Sequence, residues 1–393
     1  ETPSLKSQIH RNDGVSDLET RKETIKRAKR VVIKVGSAVL TLPDGRLNET
    51  AFKGLALEVS KLRGKGIEVA MVTSGAVAAG MGKLGFTERP KSIPEKQAAA
   101  AAGQSSLMGR YERVFAAHDL NVAQVLLTHE DLSNRHRYLN ARNTLFALLS
   151  YGLLPIINEN DTVVVDEIKF GDNDNLSALV TGLIDADLLL ILTDIEGLYD
   201  RDPRSHADAR LITLVEKIDS RIELMAGGEG SSIATGGMIT KIHAAKKASS
   251  IGIPTIITNG REMANIGKVF AAENTGTLFL SQSEKLTSRK HWIATVLKPK
   301  GKIVVDVGAR EALISKGKSL LPTGIVGVEG DFEIGDAVTL ADKEGNRFAQ
   351  GLAGYTDAEV LLIMGHRSSR IEEILGYKYC DEVIHRDDLV ILL

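Results

Sequence analysis

The side chains of this chain best suited to chemistry are short carboxylates and amides packed into two clusters, Asn158-Glu159-Asn160-Asp161 and Gly171-Asp172-Asn173-Asp174-Asn175. The first follows an apolar run at residues 153–157 that reads as a buried strand. The second runs into Leu176-Ser177-Ala178-Leu179-Val180, a helix start with Asn or Asp at its cap. Between the clusters, alternating valine, acidic and isoleucine residues predict a small hairpin. Asn and Asp also favour turns and caps on their own account. Alone, the stretch therefore reads first as a polar loop, and its company elsewhere in the chain makes it a candidate site.

Two lysines belong to that company. Lys34 lies inside Val31-Val32-Ile33-Lys34-Val35, where a central parallel strand should be apolar on both faces. One reading is a lysine at a strand end that snorkels to water. The other is function, favoured by Gly36-Ser37, where a glycine lets backbone amides approach an anion. Lys241 closes Ser231-Ser232-Ile233-Ala234-Thr235-Gly236-Gly237-Met238-Ile239-Thr240-Lys241, a glycine pair before a helix start. That arrangement fits a phosphate cradle as well as a plain surface loop; the P-loop spacing and the Gly-x-Gly-x-x-Gly of dinucleotide folds are both absent. Thr73-Ser74-Gly75-Ala76 joins a strand to an Ala-rich helix and suits either an anion or a simple cap.

These residues need a scaffold, and the chain supplies a rhythm. Apolar runs at 31–35, 69–72, 125–127, 154–157, 188–192 and 255–257 alternate with helical stretches at 50–63, 96–115, 140–151 and 238–250. Alternation of this kind predicts an α/β fold with a mainly parallel sheet covered on both faces, an αβα sandwich. Parallel strands share one carboxyl edge, where open α/β folds bind ligands. Small polar residues follow nearly every strand: Gly36-Ser37, Thr73-Ser74-Gly75, Asn158 to Asp161, Thr193-Asp194 and Thr258-Asn259-Gly260. Past a basic stretch at 285–302 the rhythm breaks. Short alternating segments at 303–307, 324–329, 337–340, 349–355 and 383–387 predict a small all-β barrel. The expected divisions are an arm at 1–29, polar with a helix near 16–30 and no secretory apolar stretch, a main domain at 30–283 and a barrel at 284–393.

Bulk composition narrows the classes. The 393 residues, 43% apolar and 25% charged, are enough for two domains of an ordinary globular protein. A net charge of −2 gives no help to general polyanion binding. The single cysteine, Cys380, excludes an internal disulfide and fits a reducing cytoplasm. No apolar run approaches the roughly 20 residues of a membrane span, and the nine histidines show no zinc spacing.

Taken together, Val32-Ile33-Lys34-Val35-Gly36-Ser37, Val72 to Ala76, Asn158 to Asp161, Gly171 to Ser177, Leu192-Thr193-Asp194, Gly197-Leu198-Tyr199, Asp202-Pro203-Arg204 and Gly236 to Lys241 resemble the glutamate 5-kinases of the amino acid kinase superfamily. The likeness spans about residues 31–281. Ser319-Leu320-Leu321-Pro322, Gly376-Tyr377 and His385-Arg386-Asp387-Asp388 resemble the PUA domain that follows in those enzymes. The resemblance implies the amino acid kinase fold with a PUA-like barrel, and ATP-dependent phosphorylation of the γ-carboxylate of L-glutamate with Mg²⁺. It also implies feedback inhibition by proline and a homo-oligomer. Lys34 and Lys241 fall on the family's catalytic lysines, and Asp174 on the aspartate that orients them. Ser74, Asp161 and Asn173 fall on glutamate-binding positions. Lys34, Thr193, Asp194 and the run Thr235, Gly236, Gly237, Met238, Ile239, Thr240 and Lys241 fall on nucleotide positions. Ser37 stands where the family often has Thr, and the arm before Arg30 has no counterpart in the family pattern.

Two other readings compete. A related kinase could act on acetylglutamate, aspartate, carbamate or a nucleotide, although the two polar clusters and the tail favour glutamate. The PUA-like tail could instead bind RNA, against which stand the net negative charge and the lack of an aromatic row.

Overall fold

The computed structural model describes residues 14–42, 45–133, 135–163, 172–227, 237–281 and 298–392. The chain divides into two compact units, Glu1–Leu132 with Arg142–Ser283, and Ser133–Ala141 with Glu284–Leu393. Among the described residues no helix is long and apolar enough to cross a membrane.

The first unit is built on an eight-stranded sheet. Its strands are β1 (Arg30–Val35), β2 (Glu68–Val72), β3 (Val122–Leu127), β4 (Leu154–Glu159), β5 (Leu188–Thr193), β6 (Leu214–Val215), β7 (Thr255–Asn259) and β8 (Thr277–Phe279). They lie in the order β3-β4-β2-β1-β5-β7-β8-β6. All pairings are parallel except that of β7 with β8. The six strands expected from the apolar runs are present. Strands β6 and β8, at one end of the sheet, are too short for the sequence pattern to reveal. Buried Val, Ile and Leu from β1, β2, β4 and β5 pack with the Glu49–Gly64 and Ile93–Ala116 helices into one apolar core.

Strand β1 sits where the strand order reverses, between β2 and β5. Lys34 is level with Val72 of β2 and Ile191 of β5. In a parallel sheet that register carries forward, so Ser74 and Thr193, each two residues further on, leave the sheet on the edge that Lys34 approaches. The strand order alone thus gathers the first three candidate positions.

The amino-terminal segment is tied into this unit rather than hanging from it. A Gly14–Arg27 helix buries Ile25 in the core, and Ala28 just past its end is buried there too. Arg21, only 2% exposed, donates to the carbonyl oxygens of Thr275 (2.8 Å), Thr213 (3.1 Å) and Gly276 (3.1 Å). Asp17 accepts from Thr213 Oγ1 at 2.8 Å. Burial pushes the Arg21 guanidinium down to about 10, with Asp17 opposing that shift. The polar composition of this helix hid its docking, because the side chain that docks is itself charged.

The second unit carries a mixed sheet of β9 (Gly301–Val305), β10 (Ile325–Gly330), β11 (Ala337–Ala341), β12 (Arg347–Leu352) and β13 (Leu389–Ile391) in the order β10-β9-β11-β12-β13. Helices at Val307–Lys316, Asp357–Ile363 and Ile371–Leu375 lie between strands. The strand expected at 383–387 is not formed. Ile384 makes an isolated bridge to Leu320, and Arg386–Asp388 turns into a short 3-10 helix. The Asp387 amide bonds His385 Nδ1 locally and the Arg386 amide bonds the distant Ser319 Oγ, partners that take the place of a ladder.

Arg21→Met keeps an apolar stem but strands three carbonyl oxygens. It should lower the unfolding free energy of the chain by about 2–4 kcal/mol, read from denaturant melts. An unchanged midpoint would show the helix to be ornamental.

Candidate active site

Strand β1 delivers Lys34 to the carboxyl edge, and two packed helices deliver its partners. The Asp172–Leu183 helix buries Leu176, Ala178, Val180 and Leu183. The Met238–Ser250 helix buries Ile242, Ala244, Ala245 and Ala248. The second polar cluster therefore does not precede its helix as a cap, as the sequence suggested. Asn173 and Asp174 lie within the first helical turn, where the backbone dipole favours an acid. Ser177 Oγ donates to the Asp174 carbonyl at 2.6 Å and Thr181 Oγ1 to that of Ser177 at 2.5 Å, which absorbs the hydroxyls locally.

Asp174 is the junction of the site. Its Oδ1 lies 2.5 Å from Lys34 Nζ and its Oδ2 lies 3.2 Å from Lys241 Nζ. The Thr240 hydroxyl donates to Oδ2 at 2.7 Å. Asp174 is 2% exposed, Lys34 5% and Lys241 6%. Lys34 thus does not snorkel to water; it is buried and paired. Burial works against the Asp174 carboxylate, but the Lys34 and Lys241 ammonium groups outweigh it and hold its pKa below the usual range. For Lys34 burial dominates: its pKa lies below the ordinary lysine value, with Asp174 holding it up and Lys241 pressing it down.

A second cluster adjoins the first through one peptide bond. Asn173 Nδ2 donates to Ser74 Oγ at 3.3 Å and to Asn158 Oδ1 at 3.2 Å. Ser74 follows β2 and precedes Gly75, which caps the Ala76–Met81 helix with a left-handed φ of 102°. Asp161, half-buried, stands in a turn two residues past β4.

The nucleotide candidates line the other side of β1. Thr193 ends β5, buried, with its hydroxyl 3.2 Å from Asp194 Oδ1, and Asp194 is exposed. Gly36 donates its amide to the Leu192 carbonyl at 3.1 Å, and an added Cβ there would press on that oxygen. Gly237 caps the Met238–Ser250 helix with no side-chain hydrogen bond. The opening amides of that helix, from Met238 and Ile239, form the positive end of its dipole. Thr235, Gly236 and the hairpin expected between the polar clusters lie outside the described residues.

A model described as the amino acid kinase family matches residues 29–259, and one described as the PUA domain matches residues 301–375. The glutamate 5-kinase of Geobacter sulfurreducens is 55% identical over 372 residues, which cover 95% of this chain and 100% of that protein. That of Pelobacter propionicus matches with the same identity and the same coverage. The chain belongs to the glutamate 5-kinases of the amino acid kinase family. Membership of this family carries ATP-dependent phosphoryl transfer as its common chemistry, which two buried lysines at the carboxyl edge suit.

Sequence reasoning missed two contributors, Tyr111 and Gln104, and one contact of a third, Thr240. Thr240 was assigned to nucleotide, but its hydroxyl bonds Asp174 and the Gly237 carbonyl. Tyr111, buried, meets Thr73 Oγ1 at 2.6 Å beneath the Ser74 turn, and burial raises its phenol pKa. Gln104 accepts from Asn158 Nδ2 at 2.9 Å. A lone glutamine closing an alanine run was the only available signal for it.

The pH response follows from the signs. Lys34 is paired with the Asp174 carboxylate, and Asp174 is the group that raises its pKa against burial and Lys241. Asp174→Asn removes that support, so the Lys34 pKa falls further. The alkaline limb of the kcat profile should then move to lower pH than in the unmodified protein. A limb that stays in place would detach Lys34 from the rate.

Proposed function

We propose that this chain transfers the γ-phosphoryl group of ATP to the γ-carboxylate of L-glutamate, giving L-glutamyl 5-phosphate, the first step of proline biosynthesis. One observation supports it above the others. Asn173 and Asp174 are consecutive, yet Asn173 bonds Ser74 and Asn158 while Asp174 bonds the two lysines. A substrate held by the amide cluster is therefore one residue from a charge cluster suited to phosphoryl transfer.

In this reading a γ-carboxylate oxygen attacks the γ-phosphorus in line. The bond to the bridging oxygen breaks and ADP leaves with its electrons. Attack of one anion on another meets strong repulsion, and the transferring group carries spread negative charge. Lys34 and Lys241 face that charge from opposite sides of Asp174, and the trio itself sums to one positive charge. Fixed, buried donors of this kind need no reorganisation as the reaction proceeds. The amides that open the Met238–Ser250 helix take ATP phosphate oxygens, while Thr193 and Asp194 border the nucleotide. Asp161 and the Asn173 Oδ1 acceptor take the substrate ammonium, and the Ser74 hydroxyl donates to a carboxylate.

Mg²⁺ in this reading is held chiefly by ATP phosphates and waters, its preferred ligands, and supplies charge neutralisation there. Both Asp174 oxygens already face cations, which fits a phosphate-borne ion better than one bound at Asp174. The same reading puts the protein in the cytoplasm, with proline as feedback inhibitor, a homo-oligomeric state and chemistry confined to residues 30–283.

ADP release measured over glutamate, acetylglutamate, aspartate, carbamate and nucleotides tests the substrate, and only glutamate should give turnover. Asp161→Ala and Asn173→Ala should then each raise the glutamate KM by about 10- to 100-fold, the worth of a charged hydrogen bond, with the ATP KM nearly unchanged. Equal rises in both KM values would contradict the assignment.

A further inference from the structure

Behind the charge cluster the amide side chains form a ladder with a fixed direction. Asn173 Nδ2 donates to Ser74 Oγ and Asn158 Oδ1, and Asn158 Nδ2 donates on to Gln104 Oε1. The internal rungs are filled, but the two ends are not. Gln104 Nε2 and Asn173 Oδ1 are buried and have no hydrogen-bond partner among the described residues. Buried polar groups in this condition are uncommon and costly, and they call for a reason.

The direction of the ladder supplies one. Because each amide gives its NH₂ toward Gln104, a donor is left at the Gln104 end and an acceptor at the Asn173 end. A donor there suits a carboxylate, and an acceptor suits an ammonium, the two charged groups of an amino acid. The backbone has been shaped to bring Gln104 within reach. Its neighbour Gly103 lies so close to the Ala76 carbonyl and Gly80 that a Cβ would not fit, and Gly80 lies as close to Ala99. Two helices in contact at glycine bring the middle of the Ile93–Ala116 helix against the turn that carries Ser74.

We propose that Gln104 is a specificity-determining residue for the amino-acid substrate, its Nε2 amide donating to a substrate carboxylate while Asn158 sets which way that amide faces. This rests on the proposed reading of the chain as a glutamate kinase. Both end atoms are shut from solvent before substrate binds, so a substrate carboxylate that reaches Gln104 Nε2 fills the empty donor while Asn158 keeps its hold on Oε1.

Gln104→Glu separates this role from a structural one. The glutamate side chain keeps the length and still accepts from Asn158 Nδ2, so a purely structural Gln104 would be replaced at little cost. A Gln104 that donates to a carboxylate would be replaced by a charge of the wrong sign. The variant should melt near the unmodified protein and raise the glutamate KM by about tenfold or more, with the ATP KM within a factor of about two. The deficit should narrow as pH falls toward the side chain's own range of about 4–5, because the protonated acid regains a donor. Should the Glu variant fold poorly, Gln104→Met removes the donor without adding charge and should raise the glutamate KM by about tenfold. A folded Glu or Met variant whose glutamate KM stays within about twofold overturns the inference. An unmodified protein with no glutamate-dependent ADP release overturns instead the reading beneath it.

Discussion

Two ammonium groups cannot be buried side by side without a negative charge between them, and Asp174 is that charge. Placing charged groups in a protein interior costs several kcal/mol per ion unless geometry and extra hydrogen bonds compensate. Here the carboxylate divides its oxygens, one to Lys34 and the other to Lys241 and Thr240. The three charged side chains are 2–6% exposed, so no solvent screen softens the interaction. Such an arrangement contributes little to stability by comparison with an apolar core, and its retention is better explained by what it does to an incoming phosphoryl group.

The scaffold answers to that junction. Lys34 needs a central strand, because only a strand flanked by β2 and β5 brings its side chain to the point where the strand order reverses. Asp174 and Lys241 need two helices packed side by side, since the carboxylate comes from the first turn of one and the amine from the first turn of the other. Lys247 bonds Asn175, the neighbour of Asp174, a second tie across the same pair. Glycines at 80 and 103 then close the opposite wall by removing the side chains that would hold two helices apart.

Much of this was legible in the sequence, for physical reasons that differ by residue. Lys34 announced itself because a charge inside Val-Val-Ile-x-Val violates the pattern of a doubly covered strand. The six longer strands were visible because burial on both faces leaves continuous apolar runs. The start of the Asp172–Leu183 helix was placed too late because Asn and Asp in a first turn look the same as Asn and Asp at a cap. Arg21 was invisible because a buried guanidinium satisfied by three carbonyls looks, in sequence, like any exposed arginine. Gln104 was hidden in an alanine run whose small side chains serve helix packing. The strand misplaced at 383–387 fell to side-chain bonds that alternation cannot show, one to the nearby His385 and one to the distant Ser319.

The central claim is that Lys34, Asp174 and Lys241 work as one electrostatic unit on the transferring phosphoryl group. A double-mutant cycle on kcat with Lys34→Ala, Asp174→Asn and their combination measures it most directly. Each single change should lower kcat by roughly 10²–10³-fold. The pair should cost far less than the product of the two losses, because a unit already broken loses little more. Losses that multiply in full would mean that the two residues act independently, and the account of a single buried unit would not stand.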